Sequence, residues 1–436
     1  MAFVLLLSAR DFRSGYVRRV VDDELDELFP ALPAILLDGP KGVGKTATSL
    51  QRATTVRRLD RDSDREILAA ALDRIQLDPS PVLLDEWQRL PALWDAVRRR
   101  VDDNSAGGQF LLTGSTPASL TGVSTHSGAG RITILRMRPL ALNERLDLAP
   151  TVSFRSLIDG TVEAVGGRSE LGLADYVAEI AAGGFPGLRH LEGRALRNQL
   201  DSYIDLIINR ELADAGLSVR RPQTVLGWLR AYAAATATTT TWEKIRRAAT
   251  PGDTPPAVTT ARPYIELLTN LRILDPLPAW LPTNNHLRSL TNGPKHHLAD
   301  PALALRLLDL GAEQLLDGTE PDTPIVRDGT FLGALFESLV ALTLRVLAQD
   351  AEADVYHLRT KGGRHEIDFV IEHSNGILAV ETKLAPTVGD NDLRHLLWLR
   401  DTLVDRTTTL VVITTGPEAY TRPDGIHIVP LALLAP

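Results

Sequence analysis

Gly39-Pro-Lys-Gly-Val-Gly-Lys-Thr46 fits the pattern G-x-x-x-x-G-K-[ST] without a mismatch. The apolar run Ala34-Ile-Leu-Leu37 enters it as a short buried strand would, and a helix is expected to leave it. Glycines at these positions let backbone N–H groups wrap phosphate oxygens, and the N-terminus of the following helix faces the anion. Lys45 then reaches the β- and γ-phosphates, and the Thr46 hydroxyl is offered to Mg²⁺. Gly39, Pro40, Lys41, Gly42, Val43, Gly44, Lys45 and Thr46, with Ala47 behind them, are therefore the candidate residues for ATP.

Two more short apolar runs follow, Pro81-Val-Leu-Leu84 and Gln109-Phe-Leu-Leu112, and helical patterns at Arg65–Ile75 and Ala92–Val101 lie between the three runs. Alternating strand and helix predicts a parallel sheet covered by helices. The second run ends in Asp85-Glu86. An acidic pair at this distance beyond a phosphate loop suits two tasks: Asp85 holding Mg²⁺ through water, and Glu86 polarising the attacking water. The third run ends in Leu-Thr-Gly-Ser115, where Thr113 or Ser115 is placed to contact the γ-phosphate; a polar strand cap is the plainer reading.

Totals bound the rest. A chain of 436 residues is too long for one ordinary core, so two or three domains are expected. With 44% hydrophobic and 23% charged residues it has the composition of a soluble globular protein. At a net charge of −8 it is no polycation, so nucleic acid would have to meet local basic patches such as Arg57-Arg58, Arg98–Arg100, Arg220-Arg221 or Arg246-Arg247. Exposed arginine pairs are more often solvated faces. The absence of cysteine excludes disulfides and thiolate metal sites. The run Ala2–Leu7 is too short to span a membrane and lacks the flanks of a signal peptide, so no membrane partner and a cytoplasmic location are expected. Of the 47 basic residues only six are lysine, at positions 41, 45, 244, 295, 361 and 383. A compact ammonium on a flexible stem is a plausible reason to keep lysine where arginine is the rule, and Lys45 and Lys383 both fall in candidate sites.

The expected fold class is α/β, with domains at 1–150 (phosphate-loop ATPase), 173–290 (helical) and 291–436 (a second α/β domain). The stretch 149–172 reads as an irregular boundary. Between Tyr176 and Leu274 the pattern is helical, and three short segments, 223–235, 242–249 and 257–271, followed by an apolar stretch, suit a winged helix. Pro263 within the third segment suits a plain helical linker instead. Phe331–Leu347 is a strong helix, followed by strands at 354–358, 366–372, 377–383 and 409–413, with a helix at 392–401 before the last. No H-E-x-x-H or G-x-S-x-G pattern occurs.

GPKGVGKT, LLDEWQRLP, FLLTGS, GAGRITILRMRPLALNE and GGFP together resemble a family of prokaryotic AAA-type ATPases with a C-terminal region of uncharacterised function. The resemblance spans nearly the whole chain and is weakest near 150–175 and 236–256. Ala47 replaces a usual threonine and Trp87 a usual aliphatic residue, and neither change removes a phosphate or metal ligand. The resemblance maps the family arginine of the A-G-R turn onto Arg131. That residue is either an arginine finger, acting in its own or a neighbouring subunit, or a structural salt-bridge partner. The finger reading implies ATP-dependent self-association.

The resemblance also covers Gly333-Ala-Leu-Phe-Glu337, Arg359-Thr360, Glu366-Ile-Asp-Phe369 and Glu381-Thr-Lys383. These look like the core of the restriction-endonuclease-like fold, whose signature is D-x(n)-E-x-K on a hairpin. Two antiparallel strands turning near Ser374-Asn-Gly376 bring Asp368 beside Glu381, and residues two apart share a face, so Lys383 joins them. Two carboxylates on one face invite a cation, and Mg²⁺ takes one or two carboxylates with phosphate oxygens and water. On this reading Asp368 and Glu381 hold Mg²⁺, Lys383 handles the water and Glu337 adds a carboxylate. By chance, E-x-K also arises on half-exposed strands, and such a fold can persist without activity. Two functions follow: ATP-dependent action on DNA through the C-terminal domain, or a nucleotide-controlled switch whose C-terminal domain binds a protein or nucleic acid and cuts nothing.

Overall fold

The computed structural model describes residues 15–114, 128–147, 150–214, 222–250, 258–280, 293–325, 329–360, 362–374, 376–403, 406 and 408–436. Ser115, Arg220, Arg221, Asn375 and most of the Ser/Thr/Gly-rich stretch after Thr113 lie outside them.

The first sheet contains β1 (Ala34–Asp38), β2 (Thr55–Arg58), β3 (Val82–Asp85), β4 (Phe110–Thr113) and β5 (Thr133–Arg136), in the order β2-β3-β4-β1-β5. All its pairings are parallel. The three central strands are almost wholly buried, as continuous apolar runs in a sheet covered on both faces must be. Their side chains alternate between two cores. Ile35, Leu37, Leu83 and Leu111 join a core that runs through the rest of the chain. Leu36, Leu84, Phe110 and Leu112 pack instead on Trp87, Leu93, Trp94 and Val97.

Residues 150–172 are not an irregular boundary. They supply β6 (Val152–Ser153), a short helix Phe154–Ile158 and β7 (Gly167–Arg168). Two-residue strands carry no periodic signal, which is why the sequence pattern misses them. In the C-terminal half lie β8 (Asp354–Arg359), β9 (Glu366–His373), β10 (Gly376–Lys383), β11 (Thr408–Thr414), β12 (Glu418–Thr421), β13 (His427–Pro430) and β14 (Leu434–Ala435). A seven-stranded mixed sheet runs β7-β12-β13-β11-β10-β9-β8, and β6 pairs with β14. The segment after the first domain is thus woven into the last one.

Between the sheets, the helices Pro222–Ala234, Trp242–Ala248 and Val258–Asn270 are followed by antiparallel bridges Leu274–Leu298 and Leu277–Lys295. This is the order of three helices and a short antiparallel pair. Pro263 lies inside its helix, in the second turn, so the helix continues through a residue that supplies no N–H donor. Trp228, Tyr232, Trp242 and His296 stack into one aromatic cluster that fixes the first two helices against the bridged segment. The helix Phe331–Asp350 is apolar enough by composition to cross a membrane, but 72% of its most apolar window is buried inside the fold. It packs on β8, β9 and β10 on one side and on the helix Val20–Leu28 on the other.

Gly183-Gly184-Phe185-Pro186 is held by a buried charge cluster. Asp300 accepts from Gly184 N at 2.7 Å, from Ala302 N at 2.9 Å as a helix cap, and from Arg145 Nη2 at 3.3 Å. Arg145 and Asp300 side chains are fully buried. A Cβ on Gly184 would lie 2.5 Å from the Leu140 carbonyl oxygen, so glycine is required there. Asp300→Ala removes the cap and leaves the buried Arg145 guanidinium only Glu179, at 3.8 Å, as a facing carboxylate, so we expect a loss of roughly 3–5 kcal/mol in denaturant unfolding.

Candidate functional site

The phosphate loop joins β1 to the helix Lys45–Leu50. Gly42 and Gly44 have φ of +81° and +100°, and a Cβ on Gly39 would meet the Met137 carbonyl oxygen at 2.0 Å. The three glycines are thus required by backbone geometry. Lys45 is buried and donates to the carbonyls of Gly39 (2.7 Å) and Pro40 (2.9 Å), so its ammonium lies across the loop it serves. Burial pulls its pKa down to about 8, against the pull of Asp38 and Glu86. Asp85 Oδ1 accepts from Thr46 Oγ1 at 2.8 Å and from Thr113 Oγ1 at 2.7 Å. These two contacts exist because β4 lies between β1 and β3 and brings Thr113 alongside Asp85. A hydroxyl and a carboxylate are hard oxygen donors that fit Mg²⁺, and the glycine cradle fits phosphates. Glu86 follows in a left-handed conformation, φ +55°, which turns it out of the strand, and it accepts from Gln88 Nε2. Ala47 borders a cleft of about 330 Å³ lined also by Tyr16, Gly44 and Pro186.

The middle segment covers this loop. A Cβ on Gly42 would lie 3.7 Å from the Phe185 ring, and one on Gly44 would lie 3.8 Å from Pro186. Tyr203 donates to the Lys41 carbonyl at 3.0 Å, and Lys41 pairs with Glu211 at 2.6 Å. GGFP is therefore part of the nucleotide site, although it lies about 140 residues beyond the loop.

Arg131 is not at the phosphate loop of its own chain. Thr133 pairs with Ile35 near the start of β1, whereas the loop leaves the end of β1. Arg131 is half-exposed and donates to Asp102 at 2.7 Å. The strand direction places Arg136 beside the loop instead, opposite Asp38. Arg136 lies 3.6 Å from Asp38 and 3.8 Å from Asp275; Arg138 and Arg345 reach Asp275 at 3.1 Å each; Arg272 reaches Asp38 at 2.7 Å. Burial pushes the Asp275 carboxyl up, and the guanidinium groups of Arg345, Arg138 and Arg136 overcome it and hold it ionised. Arg136 and Arg138 lie within the GAGRITILRMRPLALNE stretch, which gave them no role, and no motif marks Arg272 or Asp275.

A cavity of about 670 Å³ lies between the helical segment and the C-terminal sheet. Glu337, Asp368, Glu381 and Lys383 all line it. Val380 pairs with Phe369, so the next antiparallel step sets Glu381 opposite Asp368. At its centre stands a residue the motifs do not mark. Lys295 Nζ lies 2.7 Å from Glu337, 3.0 Å from Asp368 and 3.8 Å from Glu366, and its side chain is only 1% exposed. Thr382 donates to the other Asp368 oxygen through N (2.9 Å) and Oγ1 (2.8 Å). Lys383 shares the cavity and lies 3.6 Å from Asp392. Burial raises the carboxyl of Asp368, but Lys295 and the two Thr382 bonds bring it down overall. Burial, then the charge of Asp368, pushes Glu337 up to about 8 and Glu381 well above its ordinary range.

Mg²⁺ at Asp368 and Glu381, expected from the sequence, does not fit this arrangement. The Lys295 ammonium occupies Asp368 and Glu337, though not Glu381, and among the described residues no group of three His, Asp or Glu is arranged to hold a metal ion.

Residues 32–146 match the family described as an AAA domain. With the phosphate loop and the parallel sheet, this defines an N-terminal P-loop, AAA-type ATP-binding domain. Residues 173–314 and 332–434 match two domains of unknown function, DUF8612 and DUF4143. Lys295 thus comes from one matched segment and the acids around it from another or its edge. Uncharacterised proteins of Mycobacterium tuberculosis and Mycobacterium bovis are each 25% identical over 408 residues, covering 91% of this chain and 80% of theirs. Among solved structures, the Walker-type ATPase of Pyrococcus abyssi is 17% identical with a TM-score of 0.39, covering 69% of this chain and 98% of that one. The ORC2 protein of Aeropyrum pernix is 14% identical with a TM-score of 0.29, covering 74% and 95%.

The Glu337 carboxyl titrates near 4.5 when solvated and near 8 in the fold, so the folded chain holds an extra proton between those values. Its contribution to stability is complete below pH 4.5 and is lost as pH rises through 8. We expect Glu337→Gln to flatten the fall of Tm between pH 5 and pH 8; an unchanged slope contradicts the assignment.

Proposed function

We propose that this protein is a Mg²⁺-dependent ATPase whose nucleotide state controls DNA binding in the cleft between its helical segment and a nuclease-like C-terminal domain. One observation carries the reading: the same segment touches both sites. It covers the phosphate loop with Phe185, Pro186, Tyr203 and Glu211. It walls the far cleft with Thr236–Thr240, Lys244 and Lys295. Between the two runs a short path. Asp38 directly precedes Gly39 and is held by Arg136 and Arg272; Arg136 faces Asp275; Leu277, two residues on, is bridged by backbone bonds to Lys295. Phosphates arriving at the loop would compete with Gly39 and Pro40 for Lys45 and change the balance of charge at Asp38.

Lys244, Arg359, Lys383 and Arg394 line the cleft above its acidic floor. Cations at a rim suit a phosphodiester backbone, and binding that rests on them falls steeply with salt. With Lys295 among the acids the cleft is read as one that binds and does not cut. In hydrolysis Lys45 neutralises the γ-phosphate, Thr46 and Asp85 hold the metal, and Glu86 orients water. Arg131 acts on a neighbour's nucleotide only after leaving Asp102; sedimentation with a non-hydrolysable ATP analogue reads whether subunits assemble.

An ATPase assay with and without duplex DNA tests the proposal, and DNA is expected to raise turnover. Lys45→Ala abolishes ATP binding. Glu86→Gln keeps binding and lowers turnover by roughly 10²-fold or more. Asp275→Asn keeps ATP binding but loses the response to DNA. Hydrolysis at the parent rate by Lys45→Ala, or no DNA response in the parent, counts against it.

A further inference from the structure

We infer that Lys295 is a built-in counter-cation that takes the place of a divalent metal in the acidic cleft, so that the cleft in this form binds no metal ion. The inference rests on reading the cleft as a binding site, whatever its occupant.

Its contacts are those of a counter-ion. One ammonium bonds Glu337 and Asp368 at 2.7 and 3.0 Å, with Glu366 at 3.8 Å. Mg²⁺ would need oxygens at about 2.0–2.1 Å from the same point and would face a positive charge a few ångströms away. Lys295 is not a loose arm. Its backbone N and O are both bonded to Leu277, at 2.9 and 2.8 Å, and the neighbouring His296 and His297 are buried. Displacing the ammonium would therefore require moving a bridged, buried segment.

A second observation marks the place as built for a cation. Glu381 is 94% buried, lines the cavity, and its Oε1 has no hydrogen-bond partner. Lys295 satisfies Glu337 and Asp368 but leaves this oxygen unmatched. The ammonium thus answers two of the three carboxyls and leaves the most deeply buried one unmatched. Without the ammonium, Glu337, Asp368 and Glu381 would face the same cavity with no cation among them.

The test is Mn²⁺ binding by the full chain without nucleotide, followed as loss of the free-ion EPR signal. Up to about 1 mM Mn²⁺, parent and Glu381→Gln should bind the same amount. Lys295→Gln should gain one site about tenfold or more tighter than any in the parent, and Lys295→Gln with Glu381→Gln should lose it. A Glu381-dependent site in the parent overturns the inference, as does a folded, ATP-binding Lys295→Gln that gains nothing. If Lys295→Gln does not fold, the parent comparison still decides. DNA binding by the parent in EDTA is read separately: its failure removes the DNA proposal and leaves the Mn²⁺ result standing.

Discussion

A single buried carboxylate, Asp275, receives an arginine pair from the ATP-binding domain, Arg136 and Arg138, and another arginine, Arg345, from the long helix of the C-terminal domain. Asp275 itself belongs to the helical segment. Burying an acid is costly, and only the guanidinium groups around it make the ionised form stable there. The three parts of the chain therefore meet at a charge that none could bury alone. Arg345 also donates to the carbonyls of Asp275 and Pro276, which fixes the backbone entering the bridge to Lys295. The relation of one sheet to the other depends on this node, and so does the path from Asp38 to the acidic cleft.

The two sites are built by the same device. In each, a lysine is drawn from solvent into a ring of oxygens: Lys45 among the loop carbonyls, Lys295 among carboxylates. All five described lysines lie in or beside one of the two sites, Lys41 and Lys45 at the loop and Lys244, Lys295 and Lys383 around the cleft. Arginine does the structural pairing elsewhere, as its rigid fork suits. The difference lies in what the ammonium faces. Lys45 faces neutral carbonyls, whereas Lys295 faces the ionised Asp368 carboxylate together with Glu337.

What the sequence showed and hid follows from the same physics. The phosphate loop was legible because glycine and lysine have no substitutes in that geometry, and threonine only serine. β1, β3 and β4 were legible because central parallel strands are continuous apolar runs. β2 and β5 were not, being edge strands that carry Arg57, Arg58 and Arg136. β6 and β7 are too short for any pattern. The hairpin acids were legible from spacing, since Asp368 and Glu381 face each other across one turn. Lys295 was not, because it reaches Asp368 from 73 residues upstream and belongs to no motif. Only the scarcity of lysine pointed to it. Arg131, read from its motif as a finger or a salt-bridge partner, pairs with Asp102, and strand direction gives the place beside the loop to Arg136.

The central claim is that nucleotide at the phosphate loop changes the distant cleft. Hydrogen–deuterium exchange of the full chain, with and without a non-hydrolysable ATP analogue and Mg²⁺, tests it most directly. The account predicts altered exchange in residues 293–298 and in β9 and β10 as well as in the loop, with the distant change lost in Asp275→Asn. A change confined to residues 32–146 would contradict it.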